Sequence, residues 1–236
     1  MTGPVAVSAN LLNGRPDSEV RPGVGEHLAQ GAPVALFQEA GSYIDVMRDL
    51  RIEHGYREPS AAQRSAGRGM NSSVLMVRRD VPVIASGVAL VSCQWIGPRL
   101  GVRWPGRGIP WKVIDLELDG RTYRTLVASI HGPTGRNGIN RLAWRRYLRR
   151  LRRLWRKKAK RYGATHVLYV GDWNCPADAT DKTSVRRLLA DRLGLRIVRT
   201  GTPIDYAVTN LPLNGVEGPA YGSDHPSTRY YWRAAA

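Results

Sequence analysis

The chain has 236 residues, with 36 Lys and Arg against 19 Asp and Glu for a net charge of +17. That length suits one well-cored domain spanning 1–236, and no stretch approaches the roughly 20 apolar residues of a spanning helix, which argues against membrane residence. So large a positive charge makes a fold repel itself unless an anionic partner is near, and nucleic acid is the simplest such partner.

The opening segment, Met1 to Val7, lacks a basic stretch followed by a long apolar run and leads directly into a strand at Val5 to Ala9. Cys93 and Cys175 are too few for a disulfide scaffold and lack zinc-ligand spacing. A cytoplasmic monomer with reduced thiols is expected. Further β-branched runs predict strands at Pro33 to Phe37, Ser73 to Val77, Val83 to Val91, Val113 to Leu118 and Thr122 to Ile130, then at Val167 to Val170, Ile204 to Val208 and Thr228 to Trp232. Helical spacing falls between them at about Tyr43 to Leu50, Ile139 to Arg161 and Lys182 to Leu193. Asp119-Gly120 separates two alternating runs and is a preferred pair for a two-residue hairpin, so its flanking strands should be antiparallel neighbours. Hairpins mixed with crossover helices predict an α/β or α+β class, with mixed sheets and helices packed outside.

From Gln94 to Trp111 the chain carries enough Gly and Pro to predict a long exposed loop. Arg99, Arg103 and Arg107 interleave there with Trp95, Trp104 and Trp111, an arrangement suited to phosphate contacts plus base stacking. The same tryptophans could instead tuck back onto a sheet.

The helical segment from Arg141 to Arg161 holds 12 cations and no acid. Trp144, Leu148, Leu151, Trp155 and Ala159 recur along it as a stripe that can dock on a sheet. Such a charge run often means only a solvated face. Here like charges four residues apart repel without acidic relief, which favours phosphate binding, with Arg149, Arg150 and Arg153 among the candidate contacts.

Polar residues stand just where the apolar strands stop: Asn10, Glu39, His131, Asp172, Asn174, Asp205, Asp224 and His225. Strand ends are where a rigid scaffold presents chemistry. Glu39 lies at the mouth of a buried strand, where ionisation needs compensation; a divalent metal supplies it, although a helix-start role fits equally. Asp172 and Asn174 are expected on one side of an extended chain, able to grip a water and a phosphoryl oxygen, while side-chain turns after strands offer a purely structural alternative. Asp205, Asp224 and His225 enter one late region, where an aspartate bonded to imidazole fixes its tautomer and favours the imidazolium, although taken singly each residue fits a structural role.

The ordered series Ser8-Ala9-Asn10, Phe37-Gln38-Glu39, Ser129-Ile130-His131, Gly171-Asp172-Trp173-Asn174, Ile204-Asp205-Tyr206 and Ser223-Asp224-His225 resembles the motif set of the endonuclease/exonuclease/phosphatase superfamily. The resemblance implies a four-layered sandwich of two packed sheets with the site at one edge. It implies Mg²⁺ or Mn²⁺ held by Glu39 with Asn10 and Asp224, and Asp172 acting on the attacking water. Asn174 would hold a phosphoryl oxygen, and His225, oriented by Asp205, would stabilise the developing charge. His131 matches the histidine of deoxyribonuclease-type members. One departure is Leu12, two residues after Asn10, where several DNA-repair members carry an acid, and this weakens an abasic-endonuclease reading.

The function implied is a metal-dependent nuclease, with DNA ahead of RNA as substrate. A phosphatase acting on a non-nucleic-acid ester and a catalytically silent nucleic-acid-binding module remain as alternatives.

Overall fold

Apolar runs bounded by turn residues build two sheets that meet face to face. The computed structural model describes residues 3–12, 14–61, 73–90, 95–96, 103–104, 108–133, 141–220 and 223–233. In chain order the elements begin with β1 (Ala6–Asn10), α1 (Asp17–Ala29), β2 (Val34–Gln38), α2 (Ile44–Glu53), β3 (Ser60–Ala61), β4 (Val74–Val77) and β5 (Val83–Leu90). Next come β6 (Trp95–Ile96), β7 (Arg103–Trp104), β8 (Gly108–Leu118), β9 (Arg121–His131), α3 (Arg141–Tyr162) and β10 (His166–Asp172). A π-helical turn at Arg186–Ala190 runs into α4 (Asp191–Leu193), followed by β11 (Arg196–Val198), β12 (Asp205–Thr209), β13 (Leu213–Glu217) and β14 (Thr228–Trp232).

One six-stranded sheet has the order β13-β14-β1-β2-β4-β3 and the other β11-β12-β10-β9-β8-β5. Val34, Leu36 and Leu75 of the first pack against Ile114, Val127 and Leu168 of the second, all fully buried. The alternate side chains of the same strands face outward, Ala35 and Phe37 beneath α1 and α2, Leu126 and Tyr169 beneath α3. The result is the expected four-layered α/β sandwich with helices outside both mixed sheets.

Two crossovers orient the molecule. β1–α1–β2 and β9–α3–β10 each link parallel neighbours, so their strands deliver their C-terminal residues to a common edge. The hairpin forms as expected, with Asp119 and Gly120 at φ 48° and 71° joining antiparallel β8 and β9.

Several elements depart from expectation. β8 starts at Gly108, not Val113, so Trp111 is a strand residue buried beneath α3 and not part of an exposed loop. Ladders to β5 on one side and β9 on the other satisfy its backbone despite Pro110. Trp95 and Trp104 pair across a small two-stranded sheet, which also carries Arg103 on its backbone; Arg99 and Arg107 lie outside the described residues. α1 is absent from the sequence expectation, because Pro22, Gly23 and Gly25 oppose helix formation. Burial of Val20, Val24 and Leu28 against the first sheet outweighs that local cost. The late helix begins after Ser184, not at Lys182; the edge strand β11 is too brief to show a period, and β13 carries Asn214, Gly215 and Glu217, which are poor strand formers.

Gly171 sits near the end of β10 at φ 143°, where an added Cβ would lie 2.1 Å from the Ile130 carbonyl oxygen and 2.8 Å from Gln38 Nε2. Gly171→Ala is therefore expected to lower stability by about 2 kcal/mol or more, read as a lower urea midpoint at unchanged m-value.

Candidate active site

The face of each central strand that lines the space between the sheets changes character toward one edge. Ala6 gives way to Ser8 and then Asn10, Leu36 to Gln38, Val127 to Ser129 and then His131, Val170 to Asp172, and Ala207 to Asp205. Since side chains alternate with a period of two, each of these series stays on one face. The register then sets the polar ends side by side: Asn10 beside Gln38 in the first sheet, and His131, Asp172 and Asp205 across adjacent strands of the second.

Gln38 ties the sheets together just behind this edge. Its Nε2 donates to Ser129 Oγ at 3.1 Å, Ser129 Oγ donates to the Phe37 carbonyl at 3.2 Å, and Ser8 Oγ donates to Gln38 Oε1 at 3.3 Å. All three side chains are buried. This scaffold is present in the sequence as polar residues two positions before Asn10 and His131, but nothing there marks it as a bridge.

Glu39 comes next, at φ 53°, a left-handed conformation uncommon outside Gly, Asn and Asp. This turn breaks the strand alternation, and the carboxylate reaches the site with Oε1 3.7 Å from His131 Nε2. Asp172 Oδ2 lies 3.8 Å from the same nitrogen and accepts from Asn10 Nδ2 at 3.4 Å. Asn10 Oδ1 in turn accepts the Leu12 amide at 3.2 Å.

Asp172 and Asn174 meet by a different route from the extended geometry expected. The chain turns after Asp172, and Asn174 adopts φ 48°, which Asn tolerates better than most residues. Its backbone N–H donates to Asp172 Oδ1 at 2.7 Å, closing a side-chain turn. Its Nδ2 donates to the Gly132 carbonyl at 2.9 Å and reaches Asp172 Oδ2 at 3.3 Å. Between them, Trp173 is fully buried, stacked on Tyr206 at 5.4 Å and bonded through Nε1 to the Tyr206 carbonyl at 2.9 Å, which pins the turn.

Asp205 and His225 come together directly, with Oδ2 2.8 Å from Nδ1. That bond, with the charges of Asp205, Asp172 and Asp224, outweighs burial and raises the His225 pKa to about 9. Asp224 is the most exposed of the group, its Oδ1 3.8 Å from His225 Nε2.

Ligating atoms of Asp172, Asp205 and His225 lie within 4.8 Å of one another. With Nδ1 engaged by Asp205, His225 can offer this set only Nε2, a softer donor than the oxygens that a hard cation takes. A set richer in oxygen donors is found where the Glu39 and Asp172 carboxylates both approach His131 and the Asn10 amide adjoins. Oxygen donors of this kind fit Mg²⁺ or Mn²⁺.

No family model matches the sequence, and no curated protein matches it in sequence. Solved structures match it in three dimensions. The human Nocturnin catalytic domain with a bound sulfate anion aligns with a TM-score of 0.70 at 14% identity, over 98% of this chain and 95% of that one. A mannosyl-6-phosphatase of Bacteroides thetaiotaomicron VPI-5482 aligns at 0.66 and 13% identity, over 95% and 97%. An endonuclease/exonuclease/phosphatase family protein of Leptotrichia buccalis C-1013-b aligns at 0.67 and 12% identity, over 97% and 99%. The chain therefore has the endonuclease/exonuclease/phosphatase fold, as its motif series implied.

His225 supplies a direct test of the site's electrostatics. A histidine whose folded pKa of about 9 stands above its ordinary 6.5 stabilises the fold fully below pH 6.5, and that contribution is lost as pH rises through 9. Titration of the His225 ring protons by NMR should give a midpoint near 9 in the native protein, and Asp205→Asn should move it down toward the ordinary histidine value. An unmoved midpoint would remove Asp205 as its cause.

Proposed function

We propose that the chain is a divalent-metal-dependent phosphodiesterase that hydrolyses nucleic acid, DNA ahead of RNA. The observation that carries this reading is the convergence of Glu39, His131, Asp172, Asn174 and the Asp205–His225 pair at one sheet edge, on a chain of net charge +17.

Asp172 is the group that acts on water. Asn10 and the Asn174 amides hold its two oxygens, so the carboxylate is oriented before substrate arrives and can align a nucleophilic water or take its proton. Asn174 Nδ2 can turn part of its donor capacity to a non-bridging phosphoryl oxygen. The His225 imidazolium, fixed in tautomer by Asp205, offers Nε2–H to the negative charge that builds in the transition state. His131 lies between the Glu39 and Asp172 carboxylates, placed for phosphate stabilisation or proton transfer. Glu39 and Asn10 beside the Asp172 carboxylate would hold Mg²⁺ or Mn²⁺, with the exposed Asp224, next to His225, proposed as a further ligand; when bound the ion polarises the phosphoryl oxygen and offsets the clustered carboxylate charge.

The structural relatives support phosphate chemistry, since one is a mannosyl-6-phosphatase and another binds sulfate, a tetrahedral oxyanion shaped like phosphate. Helix α3 supports nucleic acid in particular. Trp144, Tyr147, Leu148, Leu151 and Leu154 bury one face on the second sheet, with Trp155 and Ala159 only half-buried, and leave nine of the 12 cations exposed. Arg152, half-buried among them, has its pKa lowered first by burial and then by Arg192, Arg156, Arg149 and Arg153. Positive charge crowded to this degree calls for a polyanion. Among the described residues no helix is long and apolar enough to cross a membrane.

Asp172→Asn and Glu39→Gln each remove a charge at nearly constant shape. With Mg²⁺ or Mn²⁺ present, each is expected to cut phosphodiester turnover by on the order of a hundredfold or more, with the far-ultraviolet spectrum and melting transition retained. A folded Asp172→Asn protein of near-native activity would rule out the role assigned to that carboxylate.

A further inference from the structure

The cations of α3 do not share one environment. On the side nearest β5, Arg150 Nη1 donates to the Leu90 carbonyl at 3.5 Å and Lys158 Nζ lies 3.6 Å from the centre of the Trp111 ring. Those charges are engaged within the protein. Arg145, Arg149, Arg152 and Arg156 follow one another at four, three and four residues, so they stack along a single side of the helix. The row spans about 16 Å of helix axis. Its first member follows Trp144, whose ring meets Gly132 directly after His131, so the row starts at the end of the helix that reaches the catalytic edge.

α4 adds a fifth cation from outside the helix. Leu189 and Ala190, just before α4, are buried in the same cluster as Leu148 and Leu151. Of the charges around Arg152, that of Arg192 on α4 acts on it most strongly, ahead of Arg156, Arg149 and Arg153. Arg152 is half-buried, and its Nε is closed off from solvent without a hydrogen-bond partner. Arg145, Arg149, Arg156 and Arg192 are exposed, and among the described residues no carboxylate, that of the adjoining Asp191 included, forms an ion pair with any of the five. Like charges gathered around a half-buried guanidinium cost stability until an anion arrives.

The chemistry of the row selects that anion. Guanidinium groups fork onto phosphate oxygens through paired hydrogen bonds. A single free phosphate would neutralise one or two of them and leave the others facing one another, whereas a strand of nucleic acid presents a line of phosphates that can follow the helix axis. We propose that Arg145, Arg149, Arg152 and Arg156, with Arg192 beside Arg152, form a binding row for the backbone phosphates of one nucleic-acid strand, outside the catalytic edge. The proposal rests on the nucleic-acid reading above and deepens it, since the substrate is then a strand that extends beyond the phosphodiester being cut.

The test is fluorescence anisotropy in chelator, with labelled oligothymidylate over a series of salt concentrations. Arg152→Gln with Arg192→Gln should weaken binding roughly tenfold and flatten the line of log affinity against log salt by about 0.7 for each phosphate no longer neutralised. Arg192→Gln alone, at an exposed position, should move both quantities in the same direction. Lys157→Gln with Arg161→Gln removes as much charge as the first pair from exposed positions off the row and should change both less. Equal losses from the two pairs would mean attraction to positive charge in general and would overturn the row. So would competition by inorganic phosphate, beyond that of chloride at equal ionic strength, that Arg192→Gln abolishes, since it would mark a site for a free anion. Cleavage of oligothymidylate by the native protein with Mg²⁺ separates the two levels. If it is cleaved and the Arg152–Arg192 variant binds as the native protein does, the row alone fails; if neither it nor any other strand is bound or cleaved, the functional reading fails and the row with it.

Discussion

The buried amide of Gln38 is the constraint on which the site depends. Two twisted sheets packed through aliphatic side chains can slide by fractions of a residue at little cost, since such contacts are non-directional. Hydrogen bonds are directional, and a buried polar group left without its partner costs about 1–3 kcal/mol. The Gln38–Ser129 and Ser129–Phe37 bonds therefore fix the sheets relative to each other at the edge where precision matters. Glu39 stands next to this bridge on one side, and His131 stands two residues beyond it on the other. Their 3.7 Å approach follows from a register set by the bridge and by the ladders behind it.

Much of the site is legible in the sequence because its residues occupy strand ends. An apolar run that stops at Asn10, His131 or Asp172 shows where a scaffold meets solvent, and parallel crossovers bring such ends to one edge. The Asp205–His225 bond, at 2.8 Å, is legible only through the resemblance, since by residue type Asp224 could orient the imidazole as well. Other features are not legible, for physical reasons. The side-chain turn at Asp172 is legible as an alternative to the extended geometry, but the left-handed conformation that brings Asn174 Nδ2 back to it depends on one dihedral angle and leaves no periodic trace. Helix α1 contradicts its own propensities at Pro22 and is held by tertiary burial, which a local reading cannot weigh. The glycines and prolines before Val113 mask the start of β8, whose Trp111 finds its place only through β5 and α3.

Charge is segregated in a way that suits the proposed chemistry. Carboxylates gather at the sheet edge, while α3 carries its cations along the outside of the second sheet. The two regions adjoin near Trp144: the space beside Gly132 is closed by the Trp144 ring and the Trp173 carbonyl, and Trp144 Nε1 donates to the Thr183 carbonyl at 2.6 Å. At the acidic edge a phosphate would be repelled unless a cation intervened. Attraction along the helix and repulsion at the centre together make a divalent ion the natural third participant.

Metal-dependent hydrolysis of nucleic acid is tested most directly by product analysis. End-labelled single-stranded, duplex and abasic DNA, together with RNA, would be incubated with the purified protein in Mg²⁺, in Mn²⁺ and in chelator, and the fragments sized. Shortened strands are expected in either metal and intact strands in chelator, with DNA cut more readily than RNA. Intact nucleic acid under every condition, alongside metal-dependent release of phosphate from a small ester, would contradict it.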